Sequence, residues 1–196
     1  MQKDSILNII LVGVGLCIVC GAVISTVAVS LKDQQEQNVI FDQQSKIIDA
    51  ARLLEVYPSS QEALASIEEV VVNLNDGQPS GFPPEQYDLD SILRDSSQHT
   101  VLNGSDDIAM ISVRENLSKV YIEYRNNELK TLILPVRGYG LWGTLYGYLA
   151  LDSDLNTIVG LEFYKHKETP GLGAEVDNPN SVSYTHLTLP TSTHGW

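Results

Sequence analysis

The sequence predicts an α+β protein: an N-terminal transmembrane helix followed by an extracytoplasmic domain in which helices pack on an antiparallel sheet. Three observations carry this. Ser5–Leu31 is an uncharged run rich in Ile, Val, Leu, Gly and Ala. Apolar residues recur at helical spacing through residues 39–74. From Ile108 onward the spacing changes to short alternating segments broken by Asn-, Asp- and Gly-containing turns.

As a helix rising about 1.5 Å per residue, Ser5–Leu31 is longer than the roughly 30 Å hydrocarbon core. A secretory signal has a shorter apolar stretch and a small-x-small cleavage site, for which AVSLKD is a weak match, so an uncleaved anchor is expected. Lys3 and Lys32 flank the run, each beside an Asp, and the reading places the N-terminus in the cytoplasm and the domain outside it. Cys17 and Cys20, the only cysteines, both lie in this run; they leave the rest of the chain without a disulfide framework or a thiolate metal site.

Next, Val39–Glu55 reads as an amphipathic helix with Ile40, Ile47, Ala51 and Leu54 on one face, closed by Pro58. Ser59 and Glu62 form an S-x-x-E capping box, and Leu64, Ile67, Val71 and Leu74 continue at helical spacing. Asn75–Asp88 is a turn-rich connector, and the polar stretch to Ser105 has no clear periodicity. IAMISV, SKVYIEYR, LKTLILPV, TLYGYLALD and NTIVGLEFYKH then read as strands. Asn126–Asn127 and the SDL around Asp154 are the expected hairpin turns.

The formal net charge of −13 argues against nucleic acid and against anionic lipid headgroups, both of which need clustered Lys and Arg. Gly138–Gly143 (GYGLWG) matches G-x-G-x-x-G, but a dinucleotide site needs a helix after the glycines, and TLYGYLALD alternates like a strand. The plainer reading is a Gly-rich bend with Trp142 in the core; the sharper one is a planar cofactor near Trp142. In Glu168–Gly173 (ETPGLG), Pro170-Gly171 suits a type II turn. His99, His166, His186 and His194 make neither a metal set nor a nucleophile–base pair, so no metal and no catalytic residue is expected.

The order and spacing of GYGLW, LALDSDLNT and ETPGLGAEVDNP, within about 107–179, resemble the C subunit of the bacterial sodium-translocating NADH:quinone reductase. The resemblance implies an FMN-binding domain at 106–179, preceded by a helical and irregular part at 32–105 and a transmembrane helix at 5–31. It implies a flavoprotein of the inner membrane that relays electrons toward ubiquinone in a sodium-transporting translocase, with the other membrane subunits and the bilayer as partners and no nucleic acid. It implies that Gly140, Leu141, Trp142, Glu168, Thr169, Pro170, Gly171, Leu172 and Gly173 line one flavin cleft. The family attaches FMN by a phosphoester to a threonine in Ser-Gly-Ala-Thr, which this sequence lacks. Ser181–Trp196 departs from the family pattern and reads as a non-native tail, with the C-terminal part of the domain missing; Thr185, Thr188, Thr191 and Thr193 are therefore not expected to accept flavin. The fragment alone is expected to be inactive. The alternatives are the G subunit of the ion-translocating ferredoxin:NAD oxidoreductase complex, which shares the flavin domain, and a membrane-anchored sensor without redox role. A Ser-Gly-Ala-Thr in the native continuation discriminates flavoprotein from sensor.

Overall fold

The computed structural model describes residues 6–178. The expectations for Ser181–Trp196 lie outside the described residues. Two compact units divide between Asp42 and Gln43. In the first, helix α1 (Ile6–Ala50) begins, and its apolar residues from Ile9 to Leu31 are exposed. It is long and apolar enough to cross a membrane, with a mean hydropathy of 2.6 over its most apolar window.

The second unit is an antiparallel five-stranded sheet in the order β1-β4-β5-β6-β7: β1 (Ile67–Asn73), β4 (Leu117–Arg125), β5 (Glu128–Tyr139), β6 (Thr144–Asp152) and β7 (Ile158–Lys165). A small second sheet pairs β2 (His99–Val101) with β3 (Val113–Glu115). Short helices α2 (Ser60–Ala65) and α3 (Leu89–Arg94) complete the unit. The core forms where Ile47, Ile48 and Ala50 at the end of α1, together with Ala51, Leu53 and Ala63, meet Tyr121, Ile133, Tyr148 and Ala150 of the sheet. Ile133 and Ala150 face each other across β5–β6, so one cross-strand pair supplies the centre of that face.

Four sequence expectations are corrected. Val39–Glu55 is not one helix: α1 stops at Ala50, Arg52 takes a left-handed φ of 51°, and a 3-10 turn follows at Leu53–Glu55. Ile47 and Ala51 are buried as expected, but Leu54 is exposed and Leu53 takes its place in the core. The second predicted helix is cut short. Ser59 does cap it, its Oγ accepting from Glu62 N at 3.3 Å, yet α2 ends at Ala65 and Ile67–Asn73 pairs with β4 as strand β1. The β-branched run Val70–Val72 satisfies its backbone on β4, and that tertiary pairing overrides the helical spacing. IAMISV is mostly loop: Met110 and Ser112 have φ of 51° and 64°, and the Asp107 carboxylate accepts from the backbone N–H groups of Ile111 and Ser112. Finally, Trp142 is 64% exposed and does not belong to the core.

The hairpins form as expected. Asn126 and Asn127 both have positive φ, 53° and 65°, as a two-residue type I′ turn requires. Asp154 Oδ1 accepts from Asn156 N and Thr157 N, and its Oδ2 from Thr157 Oγ1, closing β6–β7.

Candidate functional site: two loops joined at Glu168

β5 and β6 pair as far as Tyr139 and Thr144, and Gly140 N donates to Gly143 O at 2.8 Å. Gly140, Leu141 and Trp142 therefore sit in a tight loop between two strands. No helix follows, so the glycine motif cannot offer a phosphate a helix N-terminus. β7 runs back beside β6, Lys165 lying opposite Tyr146, and delivers residues 166–173 to the same end of the sheet. There Leu172 N donates to Thr169 O at 3.1 Å across Pro170-Gly171, and Gly171 has φ +74°; this is the expected type II turn, whose third position favours glycine. Ala174 N also donates to Thr169 O at 3.1 Å and starts the 3-10 turn Gly173–Asp177.

Glu168 joins the two loops. Its side chain is buried, Oε1 accepts from Trp142 N at 3.1 Å, and its own N–H donates to His166 Nδ1 at 3.1 Å. A Cβ added to Gly140 would collide with Oε1, and one added to Gly173 would lie 2.6 Å from Oε2. Two glycines from separate sequence motifs thus make room for one carboxylate. Their role here is space for a side chain rather than approach to a ligand. On either side of this joint Leu141, Trp142 and Leu172 are 78%, 64% and 74% exposed. The arrangement holds apolar side chains open to solvent on loops whose backbone is fixed from beneath.

The nine residues singled out from sequence thus come together at one end of one sheet. Sequence reasoning missed three supports. Lys167 lays its stem against Gly143, with a Cβ there only 3.0 Å from Lys167 Cδ. Ala109 O accepts from Tyr139 N at 2.8 Å, which brings the 102–112 loop to the same end. His166 accepts the Glu168 N–H. The Lys167 and Ala109 contacts have no local signature, because each joins residues far apart in the chain, whereas the His166 bond spans only two residues.

The fit of a flavin can be judged on this geometry. A planar ring needs an exposed apolar surface held on a rigid backbone, and Leu141, Trp142 and Leu172 supply one. In the Thr169–Leu172 turn Pro170 carries no N–H and that of Leu172 bonds Thr169 O, so Gly171 N is the central amide left to meet a ligand.

Comparison with known proteins places these loops in context. A family profile described as an FMN-binding domain matches residues 140–193. The C subunit of the Na(+)-translocating NADH-quinone reductase of Pseudomonas aeruginosa is 42% identical over 188 residues, covering 91% of this chain and 70% of that protein. The protein of the same name from Vibrio vulnificus is 38% identical over 180 residues, covering 91% and 71%. The crystal structure of Shewanella oneidensis NqrC aligns with TM-score 0.64 at 28% identity over 71% of this chain. The corresponding C subunit from Parabacteroides distasonis aligns with TM-score 0.52 at 29% identity over 76%. The chain spans 65% of the length of each of these two solved chains.

Proposed function

The chain belongs to the C-subunit family of the Na(+)-translocating NADH-quinone reductases, and from that premise we propose that it is the FMN-carrying electron-transfer subunit of a sodium-translocating NADH:quinone oxidoreductase in the bacterial inner membrane. The observation that carries the reading is the Glu168 joint, which assembles Gly140–Trp142 and Glu168–Gly173 into one ledge inside the span matched by the flavin-domain profile. The ferredoxin:NAD oxidoreductase alternative is not favoured, since the relatives described above all bear the name of the quinone reductase's C subunit.

In this reading Trp142, Leu141 and Leu172 contact the ring, and Gly171 N of the turn is offered to its polar edge. Glu168 acts through the loops rather than on the ring, because its Oε1 is bonded to Trp142 N and both oxygens lie against glycines. When bound, FMN supplies one- and two-electron transfer; the protein supplies orientation and partial exclusion of water. The nine residues of this ledge contain no Ser-Gly-Ala-Thr run, so the contacts proposed for them are noncovalent ones. Apolar α1 anchors the chain among the other membrane subunits, with its N-terminus in the cytoplasm and the sheet domain in the periplasm.

Two experiments test this. Titration of the detergent-solubilised chain with FMN, followed by flavin fluorescence, should show saturable quenching that W142A weakens; unaltered quenching in W142A removes the ledge from the proposal. Co-expression with the flavin transferase of this family, followed by a denaturing gel, should give no fluorescent band at this mass. A fluorescent band means that a hydroxyl elsewhere in the chain accepts FMN.

A further inference from the structure

On the face of the sheet that packs against the end of α1 lies a cavity of about 230 Å³. Its walls include Tyr87, Tyr121, Tyr146, Tyr148 and Tyr164. Tyr148 stacks on Tyr164 with centroids 4.8 Å apart, and Tyr121 meets Tyr148 edge-on at 5.6 Å. Burial pushes the Tyr87 hydroxyl up to about 12 and raises those of Tyr121, Tyr148 and Tyr164 further, so these rings present neutral O–H groups at physiological pH.

One row crosses the cavity. Arg137 on β5 is paired with Tyr146 on β6, and Tyr146 with Lys165 on β7. The Arg137 side chain is 9% exposed. Its Nη2 donates to Val113 O at 2.6 Å and to Glu115 Oε2 at 2.7 Å, while its buried Nε–H has no acceptor among the described residues. A buried donor left without a partner keeps its desolvation penalty, which a bound acceptor relieves. Lys165 sits 5.1 Å above the Tyr146 ring and makes no ion pair among the described residues. Three acids line the cavity: Glu115 is paired with Arg137, Asp88 is held by the first turn of α3, where it accepts from Asp90 N and Ser91 Oγ, and Asp90, near Tyr164, makes no ion pair among the described residues. Lys119 is held by Glu69 at 3.0 Å. Among the described residues the row therefore leaves one free cation and one free buried guanidinium N–H beside stacked rings.

We propose that this cavity is a second ligand site, which takes a small planar carboxylate, its carboxylate oxygens on Arg137 and Lys165 and its plane against the tyrosines. The volume is below that of pockets for drug-sized ligands, so the ligand is a single-ring acid or smaller. The site is independent of the flavin reading, since it shares no residue with the Glu168 loops.

The probe is benzoate, observed by saturation-transfer NMR with the full chain in detergent. Saturable binding is expected, and K165M should weaken it about tenfold, the loss of one charge-assisted contact. R137K, checked for folding by circular dichroism, should weaken it as well; Lys165 is exposed, so K165M stays informative if R137K does not fold. Neutral benzamide should bind at least about tenfold more weakly than benzoate. W142A should leave benzoate binding unchanged. Absence of saturable binding, equal binding of benzamide, indifference to K165M, or loss in W142A would each overturn the assignment.

Discussion

The two ends of the five-stranded sheet use the same strands differently. At one end, Asn126–Asn127 and Asp154 close tight hairpins, and the buried Glu123 is saturated. Arg125 donates Nε to its Oε1 at 2.6 Å and Nη2 to its Oε2 at 3.2 Å, Tyr57 donates at 2.9 Å and Thr131 at 3.0 Å. At the other end, Glu168 is buried as well, but its bonded donor is the backbone N–H of Trp142, and the loops it joins leave Leu141, Trp142 and Leu172 in solvent. A carboxylate whose acceptor capacity is filled by side chains ties elements of the fold together. A carboxylate that receives a loop amide and fits between glycines sets the shape of those loops. The first arrangement acts on stability, the second on what the loops can hold.

The largest effect should come from breaking the saturated end. E123A removes the acceptor for three side chains and should cost about 3 kcal/mol, read as a lower urea midpoint at unchanged slope. A loss below about 1 kcal/mol would make Glu123 no different from a surface carboxylate. At the open end, E168A or G173V should change stability less but reduce FMN affinity about tenfold in the fluorescence titration. E168Q, which keeps an acceptor for Trp142 N, should recover most of the affinity. If E168Q and E168A bind alike, the joint is not what shapes the ledge.

A pH titration sharpens the same contrast. Burial works to raise the Glu123 carboxyl, but hydrogen bonds from Arg125, Tyr57 and Thr131 outweigh it and hold the group below the usual glutamate range. A group depressed in the folded state contributes stability above its unfolded pKa, and that contribution is lost as pH falls through the folded one. Wild-type stability should therefore fall below about pH 4.5, and E123Q should show a shallower acid limb. The smallest effect concerns the Asp154 hairpin, where Leu155 has φ 54°. Asn tolerates that conformation better, so L155N should raise the melting temperature by the equivalent of about 0.5–1 kcal/mol.

Much of this was legible in the sequence, and the reasons are local. The uncharged run from Ile6 to Leu31 makes a helix suited to lipid whatever follows it. Asn126–Asn127, Asp154 and Pro170-Gly171 encode their turns through φ preferences and side-chain acceptors that act within a few residues. The two glycine loops could be marked as candidates because unusual glycine spacing is visible in one dimension. What tertiary structure decided were the features that depend on partners far along the chain. Ile67–Asn73 had helical spacing but became a strand because β4 offered its backbone a ladder. Trp142, which one sequence reading placed in the core and the other beside a planar cofactor, lies outside the core, on a loop that Glu168 pins from 26 residues away. The row Arg137–Tyr146–Lys165 exists only through the register of three strands. Turn chemistry is written in neighbouring residues; register and the burial of charge are settled by packing across the whole sheet.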